Sequence, residues 1–381
     1  MNNNVLVIEF TPSGIRMVLG YKFHKKIFIL KAVSSPSISL DMNGFLEKNS
    51  CYEAISKGIL QIKQDFKEED IFSNLIVLLP SDDFSLLRSQ GEAITSDPSS
   101  LIVQNDYQNC INNCNMSINV GGKVVVYNEP IEFKDGFLHS YNEFPLGIKS
   151  EKLTVKFDVM LTNNVLYNHY MSIISEIGLN AKLVLFSAVG GTHFVSTFAS
   201  IENYLQLEID DMHSILSLIN EKRVVKSYSL KKGNDYAINE ASKFISVDFD
   251  YMKKISLASG LSSSLSYDYL DKYNHKVSDY SKALEYGYKS YLSDISNYIK
   301  SLNVPVTVPI VLYGDAYSIY SLDVFLQNQL SRQIFVFESK VIGARGSKYI
   351  NCLGAINISN YSYISLSHKK NNSNVSFDLR G

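Results

Sequence analysis

Glu208, Asp210, Asp211 and His213 place three carboxylates and an imidazole within six residues, all donors that a metal ion could take. Alternation along a strand puts Glu208 and Asp210 on one face, and a turn at 211–212 would bring the other two round. The preferred reading of this segment is a solvated turn, with a metal site as the alternative. Cys110 and Cys114 form C-x3-C without a second pair, so they read as two thiols on one helical face rather than a zinc site. His24, His139, His169, His193, His275 and His368 stand alone, and no nucleophile-elbow pattern surrounds a serine, so hydrolase chemistry is not expected.

The chain that must position these groups has 381 residues, a net charge of −2, 45% hydrophobic residues and 20 glycines. That length suits two or three domains with ample core, and the composition excludes a disordered chain. Near-neutral charge argues against nucleic acid as a partner, because phosphate binding needs a concentrated basic surface. Four scattered cysteines, no signal peptide and no apolar run long enough to span a membrane point to a soluble cytoplasmic protein. Glycine is scarce: average usage near 7% would give about 27.

Strand signals open the chain at 5–10, 15–20 and 26–33, and a helix follows with Tyr52, Ile55, Ile59, Ile62 and Phe66 on one face. Ser50 with Glu53 fits a capping box at its start. Leu75–Pro80 reads as a buried strand, 81–120 is polar with weak periodicity, and strands resume at 124–127, 137–141 and 153–161. A helix over 164–176 stops at Gly178, and Ala181–Phe186 is another strand. Three more strand candidates, 204–209, 213–219 and 224–230, repeat the opening block about 200 residues later. A long apolar stripe at 279–302 predicts a helix with a core face, and a strand over 309–314 precedes a helix over 318–330. Strands alternating with helices predict an α/β architecture.

Two strand-rich repeats, each with an acidic residue on its first strand, resemble the plan of the actin-like ATPase superfamily, and within it the bacterial cell-division protein FtsA. Val7–Gly14 resembles the first phosphate hairpin, Glu208–Ile215 falls at the second, Val311–Ala316 resembles the adenosine motif, and Ser347–Ala355 the closing helix. Residues 74–163 occupy the slot of the FtsA-type 1C insertion, with the Phe144–Ile148 turn, the 153–161 strand and Asn164 in the family's order. The resemblance implies an actin-like fold of two RNase H-like domains. Subdomain 1A takes 1–73 with 164–200 and 338–366, and 1C takes 74–163. Subdomain 2A takes 201–245 with 305–337, 2B takes 246–304, and 367–381 is a polar tail.

The nucleotide positions that the resemblance assigns are Glu9, Ser13, Glu208, Asp210, Asp211, Ser214 and Gly314, and they depart from the family pattern. Pro12 has no N–H to offer a phosphate. Thr11 replaces a glycine, Glu9 replaces an aspartate, and Asp210, Asp211 and Met212 stand where three glycines would be. Asp315 and Tyr317 replace small residues beside Gly314. Two unit charges about 4 Å apart repel by roughly 4 kcal/mol at an effective dielectric near 20, against about 8 kcal/mol for a micromolar affinity. The expectation is a degenerate, non-hydrolysing protein without a cofactor, ATP and magnesium entering only where the degenerate site still binds them.

By resemblance, the partner is the C-terminal peptide of FtsZ, taken through 2B, with self-association into filaments and a place at the division site on the inner face of the membrane. No local motif fixes the contacts; Lys253, Lys254 and Tyr286 are the positions singled out. The family's amphipathic membrane helix has no counterpart here. In the tail, Val375, Phe377 and Leu379 alternate with a strand period, which argues against direct membrane binding; the expectation is either another anchor, such as a partner, or a truncated chain. The alternatives are an active, polymerising actin-like ATPase and a pilus- or secretion-type adaptor of the same fold.

Overall fold

The computed structural model describes residues 4–24, 26–66, 72–199, 201–261 and 270–359. The opening strands are β1 (Val5–Thr11), β2 (Gly14–Phe23) and β3 (Lys26–Ser34), followed by α1 (Lys48–Asp65) and β4 (Leu75–Leu79). An insertion of β5 (Ser85–Ile94), α2 (Gln104–Ser117), β6 (Lys123–Asp135), β7 (Ser140–Tyr141) and β8 (Lys152–Asn163) comes next. The chain returns through α3 (Asn164–Glu176), β9 (Ala181–Phe186) and α4 (Ser187–Phe198). The second half runs β10 (Tyr204–Ile209), β11 (Ser214–Asn220), β12 (Arg223–Leu230), α5 (Asn234–Phe244), α6 (Phe249–Ser259) and α7 (Val277–Ser301). It closes with β13 (Ile310–Tyr313), α8 (Leu322–Leu330), β14 (Ile334–Val336) and α9 (Ile350–Ser359).

The sheets show the repeat directly. One has the order β3-β2-β1-β4-β9 and the other β12-β11-β10-β13-β14. In both, three antiparallel strands are extended by two parallel ones. β1 and β4 are buried at every position, as central strands covered on both faces should be. The insertion forms its own sheet, β5-β8-β6-β7, with α2 packed on it around Tyr107, Phe133, Phe144 and Phe157.

α4 and α9 cross so closely that a Cβ on Gly354 would fall onto the Gly190 carbonyl oxygen. Scarce as glycine is, it is kept where two helix backbones touch. The stripe on α7 is core, with Leu284, Tyr288, Tyr291, Leu292 and Ile295 buried in the second half.

Several expectations need correction. α1 starts earlier than Ser50: Glu47 caps it, its carboxylate accepting from the Asn49 and Ser50 N–H groups. Tyr52 is exposed, and Cys51 and Gly58 share the buried face with Ile55 and Ile62. The polar stretch 81–120 contains β5 and α2, whose Asn- and Ser-rich outer face hid the period; Cys110 and Cys114 share the inner face of α2, as expected. Only Ser140 and Tyr141 of 137–141 are strand. The helix expected from 318 begins at Leu322, after a short 3-10 turn over Asp315–Ser318. Gly178 does stop α3, with φ of 76°. Among the described residues no helix is long and apolar enough to cross a membrane. The tail at 367–381 lies outside the described residues.

Candidate functional site: a buried charge cage between the halves

The two hairpins meet in the cleft between the sheets. Glu9 on β1 pairs across the ladder with Arg16 on β2. The register of β1 on β4 (Leu6 opposite Leu75) matches that of β10 on β13 (Leu205 opposite Ile310), so Glu208 is the counterpart of Glu9 in the second repeat. Both glutamates are buried and face each other, and Asn351 in the first turn of α9 bridges them. Its Nδ2 donates to Glu9 Oε1 at 2.6 Å and to Glu208 Oε1 at 3.0 Å, and its Oδ1 accepts from the Tyr313 hydroxyl at 2.9 Å.

Arg16 fills the middle. It is 1% exposed, and its guanidinium meets four carboxylates. Nη1 lies 3.3 Å from Glu208 Oε1 and 3.6 Å from Glu9 Oε2; Nη2 bonds Asp210 and lies 3.6 Å from Asp315 Oδ2. Cys352 donates its thiol to Glu9 at 3.6 Å. One cation from the first half is thus shared by acids of both.

Like charges packed this closely and desolvated disfavour their own ionisation. Burial pushes Glu208 well above the usual carboxylate range, with Asp210 and Glu9 adding to the effect and Arg16 opposing it. Burial also raises Glu9, against the pull of Arg16, and raises Asp315. Burial by itself would lower Arg16, yet the four acids together hold it well above its ordinary value. His213, buried behind Asp210, is pulled down to about 4 by burial and by Arg16. The cage therefore keeps its guanidinium charged, holds a neutral imidazole beside it, and favours protons on its most crowded acid.

The hairpin turns that follow β1 and β10 touch each other. Ser13 Oγ, in the first turn, accepts from the Met212 N–H of the second at 3.2 Å. Gly314 follows β13 with φ of 105°, and a Cβ there would strike the Ile209 carbonyl; its carbonyl accepts from Ser347 Oγ at 2.6 Å.

The structure thus brings together Glu9, Glu208 and Asp210, sets Ser13 at the turn contact, and keeps Gly314 at the cleft. Asp211 and Ser214 point elsewhere. Asp211 turns toward α6, where Lys253 Nζ lies 2.9 Å away, and that same amine reaches Asp235 at 2.7 Å. Ser214 Oγ donates to the Lys232 carbonyl at 2.9 Å and meets the Tyr291 hydroxyl on α7. The solvated-turn reading of 208–213 is corrected: Glu208, Asp210 and His213 are buried, and Asp211 and Met212 are the residues that reach solvent. Among the described residues no group of His, Cys, Asp and Glu is arranged to hold a metal. Of the positions singled out for a partner, Lys253 is engaged by the two aspartates, Lys254 is exposed, and Tyr286 stacks on Phe244 with ring centroids 4.6 Å apart.

Arg16 and Asn351 escaped the sequence reading. A signal existed for Arg16: it is the one charged residue in the otherwise apolar first half of β2, and a charged residue there is almost never buried unless paired. Asn351 carried no comparable mark.

No protein-family model matches the chain, and no curated protein matches it by sequence. Solved structures do. PilM in the "PilM-PilN type IV pilus biogenesis complex" matches at 12% identity and a TM-score of 0.59, over 93% of this chain and 97% of that one. The ethanolamine utilization protein EutJ from Carboxydothermus hydrogenoformans matches at 9% and 0.54, over 93% and 90%. MreB5 of Spiroplasma citri, bound to AMPPNP, matches at 10% and 0.53, over 94% and 97%. At such identities the likeness is one of architecture. With its two repeated sheets facing across a cleft, the chain has the actin-like ATPase fold.

Proposed function

We propose that this chain is an actin-like adaptor of the FtsA type, acting in cell division without turning over ATP. The observation that carries the nucleotide half of this reading is Arg16, whose guanidinium lies between the two hairpins against Glu9, Glu208, Asp210 and Asp315. In the superfamily this is the place of phosphates and magnesium, and these residues do not fit that group. The cation position is already filled by a side chain. The Ser13–Met212 contact closes the turns on each other, Pro12 has no N–H to donate, and the Asp210 carboxylate would oppose a triphosphate. Where a nucleotide would bridge the two halves, the chain supplies the bridge itself.

Calorimetric titration with Mg-ATP tests this half of the proposal. No heat of binding is expected, and a micromolar isotherm would overturn it. The partner half rests on the order of the family-like motifs along the chain. It places the FtsZ C-terminal peptide on residues 246–304, with the membrane reached through a partner and self-association as a further capacity. Fluorescence anisotropy with that peptide checks it; absence of binding at tens of micromolar would remove FtsZ and leave the nucleotide reading standing. A second reading, a pilus-type adaptor, takes its motive from the fold likeness to PilM in complex with PilN. Neighbouring genes separate the two: FtsZ beside this gene supports the first, pilus-assembly genes the second.

A further inference from the structure

Two apolar features lie away from the charge cage, one recessed and one projecting. The recess is at the far end of β2, where the edge strand β3, the end of α4 and the chain leaving β14 enclose about 960 Å³. Phe28, Phe198, Val336 and Ile342 line it and remain exposed, over buried Ile27 and Phe194. Among its described lining residues the charged ones are Lys26, Lys340 and Glu338.

The projection is the far end of the insertion. β5 and β8 pair from Ser85–Leu161, where the insertion joins the body, to Ile94–Lys152, about 30 Å further on. Past that end Phe137 and Leu138 form the tip between β6 and β7, 72% and 77% exposed. Leu138 has φ of 68°, a left-handed conformation that a leucine rarely adopts. Asp135 holds the tip in this shape. Its buried carboxylate accepts from the Phe137 and His139 N–H groups at 2.9 Å each, and its carbonyl accepts from the Leu138 N–H at 3.0 Å. Exposed Leu101, Leu146 and Ile148 adjoin the tip, since the Gly136 N–H donates to Ser150 Oγ and the Ser150 N–H to the Ser100 carbonyl, both at 2.7 Å. Backbone strain that presents two bare apolar side chains points to a function for them, and a knob held this firmly has little freedom to lose on docking.

The chain itself carries a counterpart for each feature. Around the knob the exposed charges are Glu143, Glu151 and Lys149, with Asp97 half-buried. His139 pairs with Asp135, and Lys134 and Lys152 are tied to Glu132 and Glu92. Acids thus outnumber lysines among the exposed charges of the knob, and lysines outnumber the acid at the groove. The same acids disfavour an anionic membrane surface, which attracts basic segments. We propose that the Phe137–Leu138 knob of one copy seats in the groove beside β3 of a second copy. Such a contact joins two different surfaces, so each pair leaves one knob and one groove open and further copies add head to tail. This rests on the self-association within the proposed function and invokes neither nucleotide nor FtsZ.

Sedimentation velocity on the full chain tests it. Species larger than a monomer are expected, growing with concentration. The knob variant Phe137→Asp, Leu138→Asp and the groove variant Phe198→Asp, Ile342→Asp should each weaken assembly at least tenfold. Circular dichroism should be unchanged, since all four positions are exposed and aspartate tolerates a left-handed turn. Mixed together, the two variants retain one intact knob and one intact groove, and should form one-to-one dimers that grow no further. Assembly that either variant keeps, or a mixture that stays monomeric, would overturn the contact and leave self-association through another surface standing. A parent chain that stays monomeric at hundreds of micromolar would overturn self-association and this contact together.

Discussion

The two hairpins at the cleft have one backbone plan and opposite charge roles. Glu9 and Glu208 occupy matching places, but the residue across the ladder from Glu9 is Arg16, whereas the one across from Glu208 is Ile215. The first repeat therefore brings the cation. The second brings two of its acids, Glu208 and Asp210, and Asp315 after β13 adds another. A symmetric pair of hairpins, both acidic, would repel across a dry cleft unless an external cation joined them. Asymmetry at one ladder position lets the chain join its halves by itself. Removing one partner from such a buried ion cluster leaves uncompensated charge, which is far costlier than losing a surface pair.

Breaking the asymmetry should have the largest effect. Arg16→Met, similar in bulk but neutral, strands the acids and is expected to destabilise by about 3–5 kcal/mol. Denaturant unfolding measures this; a loss below about 1.5 kcal/mol, the usual range of a volume-conserving core swap, would mean the guanidinium is only filling space. The double variant Arg16→Met, Asp210→Asn sharpens the point. It should recover about 1–3 kcal/mol relative to the sum of the single changes, as expected for residues in one network; additive losses would separate the two residues.

Protons test the same cage. His213 is held down near 4 in the folded state from an ordinary value of 6.5. Its unfolded form binds the proton first, so its contribution to stability is lost as pH falls from about 6.5 toward 4. Over that window we expect a loss on the order of 2 kcal/mol, abolished in His213→Gln. Glu208 has the opposite sign. Its folded pKa is raised, so its contribution is full below 4.5 and is lost as pH rises through the folded value; Glu208→Gln should flatten that descent. Stability curves against pH for the two variants should therefore diverge in opposite directions, and parallel curves would contradict the cage. The smallest effect belongs to the turn contact: Ser13→Ala should remove about 0.5–1 kcal/mol, since a single neutral hydrogen bond is lost near the surface.

Much of the frame was legible in the sequence. The apolar, β-branched runs at 5–10 and 204–209 gave the central strands, the stripe on 279–302 gave α7, and Gly178 gave the end of α3, because each signal is local to its own segment. β5 and α2 were not legible, since their outward faces are polar and the buried residues between them are few. Within the site, Glu9, Glu208 and Asp210 were found as acids on matched strands. Their environment was misread at 208–213, where burial depends on what the other half of the molecule lays over the turn.

By itself the sequence determined the repeated strand blocks, the place of the insertion and the presence of charged residues in and beside the two hairpins. The tertiary structure decided that Glu9, Glu208, Asp210 and Asp315 gather around Arg16 in one buried cage, while Asp211 and Met212 stay at the surface. The bond from Asn351 to Glu9 joins residues 342 positions apart, and the Arg16–Glu208 contact joins residues 192 apart. Periodicity fixes which face of a strand is buried, but it carries no information about which distant charge that face will meet. Only closure of the two sheets around α4 and α9 sets Arg16 among its acids.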